Sequence, residues 1–87
     1  MKILRFTALW CADCIVMKPR WQKYFVSQPD FEIVDLDFDD DTEMTKKYAV
    51  KKVPELIILD KNENEIARMT GMQDQEALNN FFSKFIK

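Results

Sequence analysis

Two cysteines near the start of the chain are the first candidates for chemistry. Cys11 and Cys14 are the only cysteines in the 87 residues, and they lie within the stretch Trp10-Cys11-Ala12-Asp13-Cys14. Such a pair is typical of a dithiol redox site or of half a zinc site, and free cysteines also occur as inert core residues. A zinc site needs about four ligands, whereas the chain has no histidine and no second cysteine pair. We therefore favour redox chemistry over a metal site and over inert thiols.

The cysteines stand where a predicted strand becomes a predicted helix. Residues 2–7 are rich in β-forming side chains, whereas Cys14, Met17 and Trp21 recur at helical spacing. A thiol at a helix N-terminus meets free N–H groups and the positive end of the helix dipole, and both favour the thiolate that attacks disulfides. We predict that Cys11, at the exposed end, is the nucleophile and that Cys14, one turn into the helix, resolves the mixed disulfide.

The remaining pattern predicts alternating strands and helices. The expected elements are a strand at 2–7, a helix from the cysteines to about 26, a strand at 31–38, a short helix at 43–48, strands at 55–59 and 65–69, and a last helix after Asp74. This β-α-β-α-β-β-α order predicts an α/β fold, with a four-stranded mixed sheet flanked by three helices in a single domain over residues 1–87. The strand at 55–59 is the most apolar, so we expect it to be central.

Turn and capping residues mark the ends of these elements. Pro19 removes one backbone bond inside the first helix and should kink it, and Ser27-Gln28-Pro29 should end it. We expect Asp41-Thr42 to cap the short helix and Asp74 to cap the last one. The last helix carries an apolar stripe formed by Ala77, Leu78, Phe81, Phe82, Phe85 and Ile86.

Composition and charge exclude several classes of function. The net charge is −2 and the sequence has no basic block, which argues against nucleic-acid binding. No apolar run approaches the roughly 18 residues that span a membrane. The first residues superficially resemble a lipoprotein signal, but Arg5 interrupts the apolar stretch and bulky Trp10 stands where a small residue is needed. We expect a mature, cytoplasmic chain, in which paired cysteines indicate catalysis or metal binding rather than a structural disulfide.

An acidic run begins within the strand predicted at 31–38 and continues beyond it. Its members Asp35, Asp37, Asp39, Asp40 and Asp41 are spaced like those of a calcium-binding loop. That loop also needs a glycine where Asp40 stands and a final carboxylate where Lys46 stands. Anions favour helix N-termini, so a strand that leads into a helix explains the run better than a calcium site.

At this point the sequence resembles the thioredoxin family. Trp10-Cys11-Ala12-Asp13-Cys14 is similar to the Trp-Cys-x-x-Cys active site of that family. Pro19 falls where the family kinks its active-site helix, Val53-Pro54 matches the position of its cis-proline, and Gly71 matches the glycine between the last strand and the last helix. The match covers nearly the whole chain but lacks the N-terminal strand and helix of full-length thioredoxins, so the chain resembles a minimal, glutaredoxin-sized form.

The resemblance implies a thiol–disulfide oxidoreductase that needs no bound cofactor. Its substrates would be proteins with disulfides, a thioredoxin reductase or a similar donor would regenerate the dithiol, and the chain would act as a monomer. Trp10 would form an apolar rim, the backbone of Val53 would pair with an extended substrate peptide, and Pro54 and Gly71 would complete the substrate-binding surface. Without the resemblance, a trans Pro54 that opens a strand would be the better interpretation.

The chain departs from the family pattern around the cysteines and the proline. Ala12-Asp13 replaces Gly-Pro, and the residues at these positions tune the redox potential in the family; Asp13 should oppose part of the dipole effect on Cys11. Glu55 stands where threonine is usual and would add negative charge at the rim, which Lys51 and Lys52 would offset. Solvated surface is the alternative for these charges.

Arg5 is the largest departure. It aligns with the buried acid of thioredoxins that moves the proton of the second cysteine, and Asp35 aligns with the lysine that partners this acid. A guanidinium does not titrate in a protein, and a lone buried arginine is costly. We therefore hypothesise an Arg5–Asp35 ion pair behind Cys14, with Asp35 as the proton acceptor. The alternative is that Arg5 extends outward and Asp35 belongs to the acidic run.

Two other functions stay open at the sequence level. A glutathione-dependent glutaredoxin fits the length and the element order, but Thr70-Gly71-Met72-Gln73 offers one glycine where glutaredoxins use a Gly-Gly or Gly-Asp type of turn, and Trp10 favours thioredoxin. The other candidate is a non-catalytic binding module that uses Trp10, Val53-Pro54 and the Lys51-Lys52 edge. The reactivity of Cys11 distinguishes this module from an enzyme.

Overall fold

The computed structural model describes residues 1–26, 28 and 30–85. Its elements are β1 (Lys2–Thr7), α1 (Ala12–Phe25), β2 (Glu32–Asp37), α2 (Thr42–Lys47), β3 (Glu55–Leu59), β4 (Glu65–Thr70) and α3 (Gln75–Phe82). Ser27, Pro29 and Ile86, which carry parts of the predicted helix stop and of the last apolar stripe, lie outside the described residues. The predicted element order and the α/β fold class are confirmed.

The four strands form one mixed sheet in the order β2-β1-β3-β4. The β1 and β2 strands are parallel, which requires the crossover that α1 supplies. The β3 strand pairs antiparallel with both β1 and β4. All five of its residues are buried, so the predicted central position of this strand is confirmed.

Two apolar clusters lie on the two faces of the sheet. Helices α1 and α3 share a cluster with residues of β1, β3 and β4, formed by Ile3, Met17, Trp21, Phe25, Leu56, Ile58, Met69, Leu78 and Phe82. On the other face, Met44 and Tyr48 pack against Leu4, Phe6, Val50, Ile57 and Leu59. Alternation along the strands assigns successive residues to opposite faces. Both faces are therefore covered, and the ends of β1 and β3 are held rigidly at one edge.

The helix ends differ in part from the predictions. Asp74 caps α3 as predicted, because its Oδ1 accepts the N–H of Ala77 at 2.9 Å. Asp41 occupies the N-cap position of α2 but makes no side-chain capping bond among the described residues, since its Oδ2 accepts the N–H of Asp37 at 2.7 Å. That capping prediction was wrong. The α1 helix continues through Pro19, and the kink stays a prediction.

The last helix is shorter than its apolar stripe. It ends at Phe82, and Phe85 lies in the turn that follows while still packing against the α1–α3 cluster. None of the helices among the described residues is long and apolar enough to cross a membrane.

Candidate active site

The two cysteines form a disulfide at the N-terminus of α1. Cys11 is the N-cap residue, with an extended backbone (φ −93°, ψ 104°), and Cys14 lies in the first turn, at a Cα–Cα distance of 5.3 Å. The N–H of Cys14 donates to Sγ of Cys11 at 3.1 Å. The sulfur of Cys11 thus occupies the place of an N-cap oxygen, where donated hydrogen bonds and the helix dipole favour negative charge.

Both cysteines are buried. Cys11 is 5% exposed and Cys14 is 2% exposed, so Cys11 is less accessible than its position at the helix end predicts. The reason is packing from distant parts of the chain, because Phe38 and Val53 pack against the cluster that both cysteines form with Ala8. The flanking Ala12 and Asp13 are exposed, and their effect on the redox couple stays a prediction.

Trp10 lies beside the disulfide and is 66% exposed. Its Nε1 donates to Oδ2 of Asp39 at 2.7 Å, and its ring meets Phe38 edge-on, with centroids 6.5 Å apart. The loop after β2 therefore fixes the indole next to the cysteines. Sequence reasoning placed Asp39 only in the acidic run and missed this bond, because nothing local in the sequence pairs it with Trp10.

Val53 lies beside the cysteine pair, and Pro54, the next residue, is joined to Gly71. The Val53–Pro54 bond is cis, so the trans alternative was wrong, and Val53 packs against the cluster of the two cysteines. The carbonyl of Pro54 accepts the N–H of Gly71 at 2.8 Å. Gly71 has φ +78°, and a Cβ there would meet nothing within 4 Å. Backbone conformation, rather than crowding, thus favours glycine at this position.

The ion pair hypothesised between Arg5 and Asp35 is present. The two residues are partners in the register of β1 and β2, and the guanidinium donates from Nε to Oδ1 and from Nη2 to Oδ2, each at 2.7 Å. Its Nη1 donates to Oε1 of Gln22 at 2.9 Å. Arg5 is therefore held inward by three hydrogen bonds, and the outward alternative was wrong.

A cleft of about 400 Å³ lies between α1 and the carboxyl end of β2. Cys14 and Asp35 both line it, together with Thr7, Ala8, Leu9, Ile15, Lys18, Leu36, Asp37 and Asp41. The side chain of Asp35 is 51% exposed, although its arginine partner is 11% exposed. The structure therefore brings Cys14 and a water-accessible carboxylate to one opening.

Comparison with known proteins gives the family. The Thioredoxin family model matches residues 1–84. The chain belongs to the thioredoxin family. It is 30% identical over 82 residues to the thioredoxin of Chlamydia pneumoniae, with 94% of this chain and 79% of that protein covered. The family match favours the thioredoxin over the glutaredoxin interpretation.

Two further thioredoxins define the extent of the likeness. The mitochondrial thioredoxin of Bos taurus is 29% identical over 85 residues, and the match covers 97% of this chain but 51% of that protein, so the chain spans about half of its length. The structure of thioredoxin 1 from Thermosipho africanus superposes with a TM-score of 0.81 at 29% identity, covering 98% of this chain and 93% of that one. Family membership and the cysteine pair confirm the predicted class, a thioredoxin-like disulfide oxidoreductase.

Glu55 departs from the thioredoxin pattern, and its position was predicted wrongly from the sequence. It is 3% exposed, and therefore it is neither a rim charge nor solvated surface. Its Oε1 accepts from Nη1 of Arg68 at 3.2 Å and from Oγ1 of Thr70 at 2.9 Å. Thr70 is its partner in the register of β3 and β4, so the hairpin supplies the polar contacts that a buried carboxylate needs. Lys51 and Lys52 are exposed, as expected.

Arg68 was missed by the sequence interpretation. Besides Glu55, it binds Glu65, with Nε donating to Oε2 at 2.9 Å and Nη2 donating to Oε1 at 2.7 Å. The hydrogen bond to Glu65 and then the charge of Glu55 raise the pKa of Arg68, with burial acting against them. The three-residue spacing of Glu65 and Arg68 is visible in the sequence, but it gives no sign of the link to Glu55.

The acidic run forms a turn in this thioredoxin fold. Oδ1 of Asp37 accepts the N–H groups of Asp39 at 2.8 Å and of Asp40 at 3.0 Å. Its carboxylates thus bond to the backbone where β2 leads into α2. Within residues 1–26, 28 and 30–85, no three His, Cys, Asp or Glu side chains converge as metal ligands.

Proposed function

We propose that this thioredoxin-family chain reduces protein disulfides, with Cys11 as the nucleophile and Cys14 as the resolving thiol. The observation that carries the proposal is the hydrogen bond from the N–H of Cys14 to Sγ of Cys11 at the start of α1. A thiolate at that place is stabilised before any substrate arrives. Because the thiolate is the attacking species in disulfide exchange, this arrangement supports catalysis over simple docking.

The reaction proceeds in two exchanges. The Cys11 thiolate attacks one sulfur of the substrate disulfide, the substrate S–S bond breaks, and the released substrate thiolate takes a proton from water. Cys14 then loses its proton and attacks Sγ of Cys11, which breaks the mixed disulfide and releases the second substrate thiolate, to be protonated in turn. The substrate gains two electrons and two protons, and the protein ends as the Cys11–Cys14 disulfide of this structure. A dithiol donor such as a thioredoxin reductase returns the two electrons.

The substrate peptide binds in extended form along Val53. Among the described residues, no hydrogen bond engages the backbone N–H or C=O of Val53, although its side chain packs against the cysteine cluster. Free backbone groups of this kind suit pairing with an added strand. Trp10 forms the apolar rim, and Pro54 and Gly71 complete the surface. We place this activity in the cytoplasm, where dithiols are kept reduced.

Asp35 accepts the proton of Cys14 in the second exchange. Three features support this role: the carboxylate borders the same cleft as Cys14, it is half-exposed, and Arg5 fixes both of its oxygens. Water in the cleft carries the proton between the two groups. Ala12 and Asp13 tune the redox potential from the exposed side of the disulfide.

Trapping of the mixed disulfide tests the assignment of the two cysteines. The wild-type protein, Cys14→Ser and Cys11→Ser are reduced and mixed with insulin, whose chains are joined by disulfides. We expect turnover by the wild type, a stable covalent adduct with Cys14→Ser and neither with Cys11→Ser, because the first exchange needs Cys11 alone. Equal adduct formation by both variants would reverse or remove the assignment, and a wild type that does not reduce insulin would favour the binding module.

A further inference from the structure

Residues 49–54 lead from Tyr48, the C-cap residue of α2, to β3, and we call this segment the proline loop. Its member Val53 packs against the cysteine cluster, whereas Lys51 and Lys52 project into solvent. The loop begins at Ala49, which has φ +51°, a left-handed conformation that costs about 1 kcal/mol for residues other than glycine. Some contact must therefore hold the loop in the position that brings Val53 to the cysteines.

One guanidinium contacts both ends of the proline loop. Nη2 of Arg68 donates to the carbonyl of Tyr48, just before the loop, at 2.6 Å. Nη1 donates to Oε1 of Glu55, just after the loop, at 3.2 Å. Glu65 binds the outer side of the same guanidinium through Nε and Nη2. Because the guanidinium is planar and rigid, its orientation on β4 fixes the separation of the two loop ends.

The buried carboxylate of Glu55 also links the start of β3 to Thr70, at the end of β4. It accepts from Thr70 as well as from Arg68, and the next residue, Gly71, donates to the carbonyl of Pro54 at 2.8 Å. Apolar side chains in place of a buried ion pair are often as stabilising or more so. Stability alone therefore gives no reason for a charged pair here, whereas hydrogen bonds of fixed direction are suited to position a loop.

We propose that Arg68 and Glu55 are positioning residues that hold the proline loop, and with it Val53, in the place where an extended substrate peptide binds. They set the affinity for protein disulfides and leave the reactivity of Cys11 unchanged. The inference rests on the proposed function, since it concerns the substrate surface of that site. Arg68 is 13 residues from Glu55 in the sequence and reaches it across the hairpin of β3 and β4.

The test uses a variant without an unpaired buried charge. Glu55→Gln/Arg68→Met removes the guanidinium and neutralises its buried partner, whereas Glu65→Gln is the matched control, because Arg68 keeps its bonds to Glu55 and Tyr48 there. Insulin reports on peptide binding, and 5,5′-dithiobis(2-nitrobenzoic acid) reports on thiol reactivity without a peptide. In the double variant we expect KM for insulin to rise about tenfold, with kcat and the rate with the small disulfide within about twofold of wild type.

The outcomes separate positioning from general damage. An unchanged KM in the double variant overturns the proposal, as does a parallel loss with the small disulfide or an equal effect of Glu65→Gln. Arg68→Lys serves as a second variant if the double variant does not fold. We expect KM to rise because one ammonium does not bridge Glu55 and Tyr48, and to rise less than in the double variant because it keeps a bond to one of them.

Amide hydrogen exchange at Gly71, whose N–H donates to the carbonyl of Pro54 at the end of the loop, gives an answer that does not depend on turnover. We expect exchange at this amide to be about tenfold faster in the double variant and unchanged in Glu65→Gln, because only the double variant releases the loop ends. If the wild type reduces neither disulfide, the proposed function fails, and the exchange rates still decide the positioning role. Equal exchange in wild type and double variant overturns it.

Discussion

Two arginine–carboxylate pairs of the structure are buried in opposite senses. In the Arg5–Asp35 pair the arginine side chain is 11% exposed and the carboxylate is 51% exposed. In the Arg68–Glu55 pair the arginine is 27% exposed and the carboxylate is 4% exposed. One pair presents its acid to the cleft that Cys14 lines, and the other buries its acid against Arg68 and Thr70.

This difference in burial suits the carboxylate of Asp35 to proton transfer and the carboxylate of Glu55 to positioning. Water reaches the half-exposed carboxylate of Asp35 in the cleft that Cys14 also lines, and on this ground we propose its role in turnover. A buried carboxylate that accepts from two donors is fixed in direction. We therefore expect changes at Asp35 to alter pH dependence, and changes at Arg68 or Glu55 to alter stability and substrate affinity.

The largest expected effect follows from removing Arg68 alone. Arg68→Met leaves the buried carboxylate of Glu55 with Thr70 as its remaining hydrogen-bond donor. Breaking a buried pair on one side costs about 3 kcal/mol, and urea unfolding measures it. The double variant Glu55→Gln/Arg68→Met should recover about half of the loss, because no unpaired charge stays buried. A double variant no more stable than Arg68→Met would show that charge burial is not the cause.

The next largest expected effect is on the rate of the second exchange and follows from changing Asp35. Asp35→Asn removes the proposed proton acceptor, and we expect the second exchange to slow by about tenfold near pH 7 and to move to higher pH. Stopped-flow release of the mixed disulfide across pH measures this step. Glu32→Gln is the matched control, since it removes an exposed carboxylate of the same strand that lies outside the lining of the cleft. An unaltered pH profile in Asp35→Asn rejects the role of this residue.

The same substitution has a smaller effect on stability. In Asp35→Asn, the guanidinium of Arg5 keeps its bond to Gln22 and one amide oxygen in place of the carboxylate. We expect a loss of about 1 kcal/mol in urea unfolding, below that of Arg68→Met, because the lost charge is half-exposed. A loss of stability that equals or exceeds that of Arg68→Met would contradict the inference that the more buried carboxylate makes the larger contribution.

The exposed pair Lys2–Glu63 sharpens the comparison and gives the smallest effect. Nζ of Lys2 donates to Oε1 of Glu63 at 2.9 Å, and this bond lowers the pKa of Glu63 from its usual 4.5. A lowered carboxyl pKa stabilises the fold above about pH 4.5, and the contribution disappears as pH falls through the folded-state value. Urea unfolding of wild type and Glu63→Gln should differ slightly near neutral pH and converge in acid. A gap that persists in acid would contradict this origin.

The features that could be predicted from the sequence are those that depend on local spacing or on single positions of the family pattern. The helical spacing of Cys14, Met17 and Trp21 placed the cysteines at a helix start, and that start supplies the N–H bond to Cys11. The ion pair of Arg5 with Asp35 was inferred from the exchanged charges of the family pattern. These features need only local periodicity or an alignment of single positions.

Features that depend on contacts between distant segments were missed. Arg68 lies opposite Ile57, not opposite Glu55, and a register shift at Ile58 and Leu59 separates the hairpin turn from that pairing. The diagonal contact to Glu55 therefore follows from register and side-chain reach rather than from sequence spacing. The burial of Cys11 likewise comes from Phe38 and Val53, which lie in loops whose positions the local pattern does not specify.

The rate of alkylation of Cys11 tests the central claim most directly. In reduced Cys14→Ser the single thiol is Cys11, and its reaction with iodoacetamide is followed at pH 7 in the folded protein, in urea and for free cysteine. A sulfur stabilised as a thiolate at the start of α1 should react at least about fivefold faster in the folded protein than in urea or in free cysteine. A folded-state rate no faster than that of free cysteine would contradict the account and indicate a binding module.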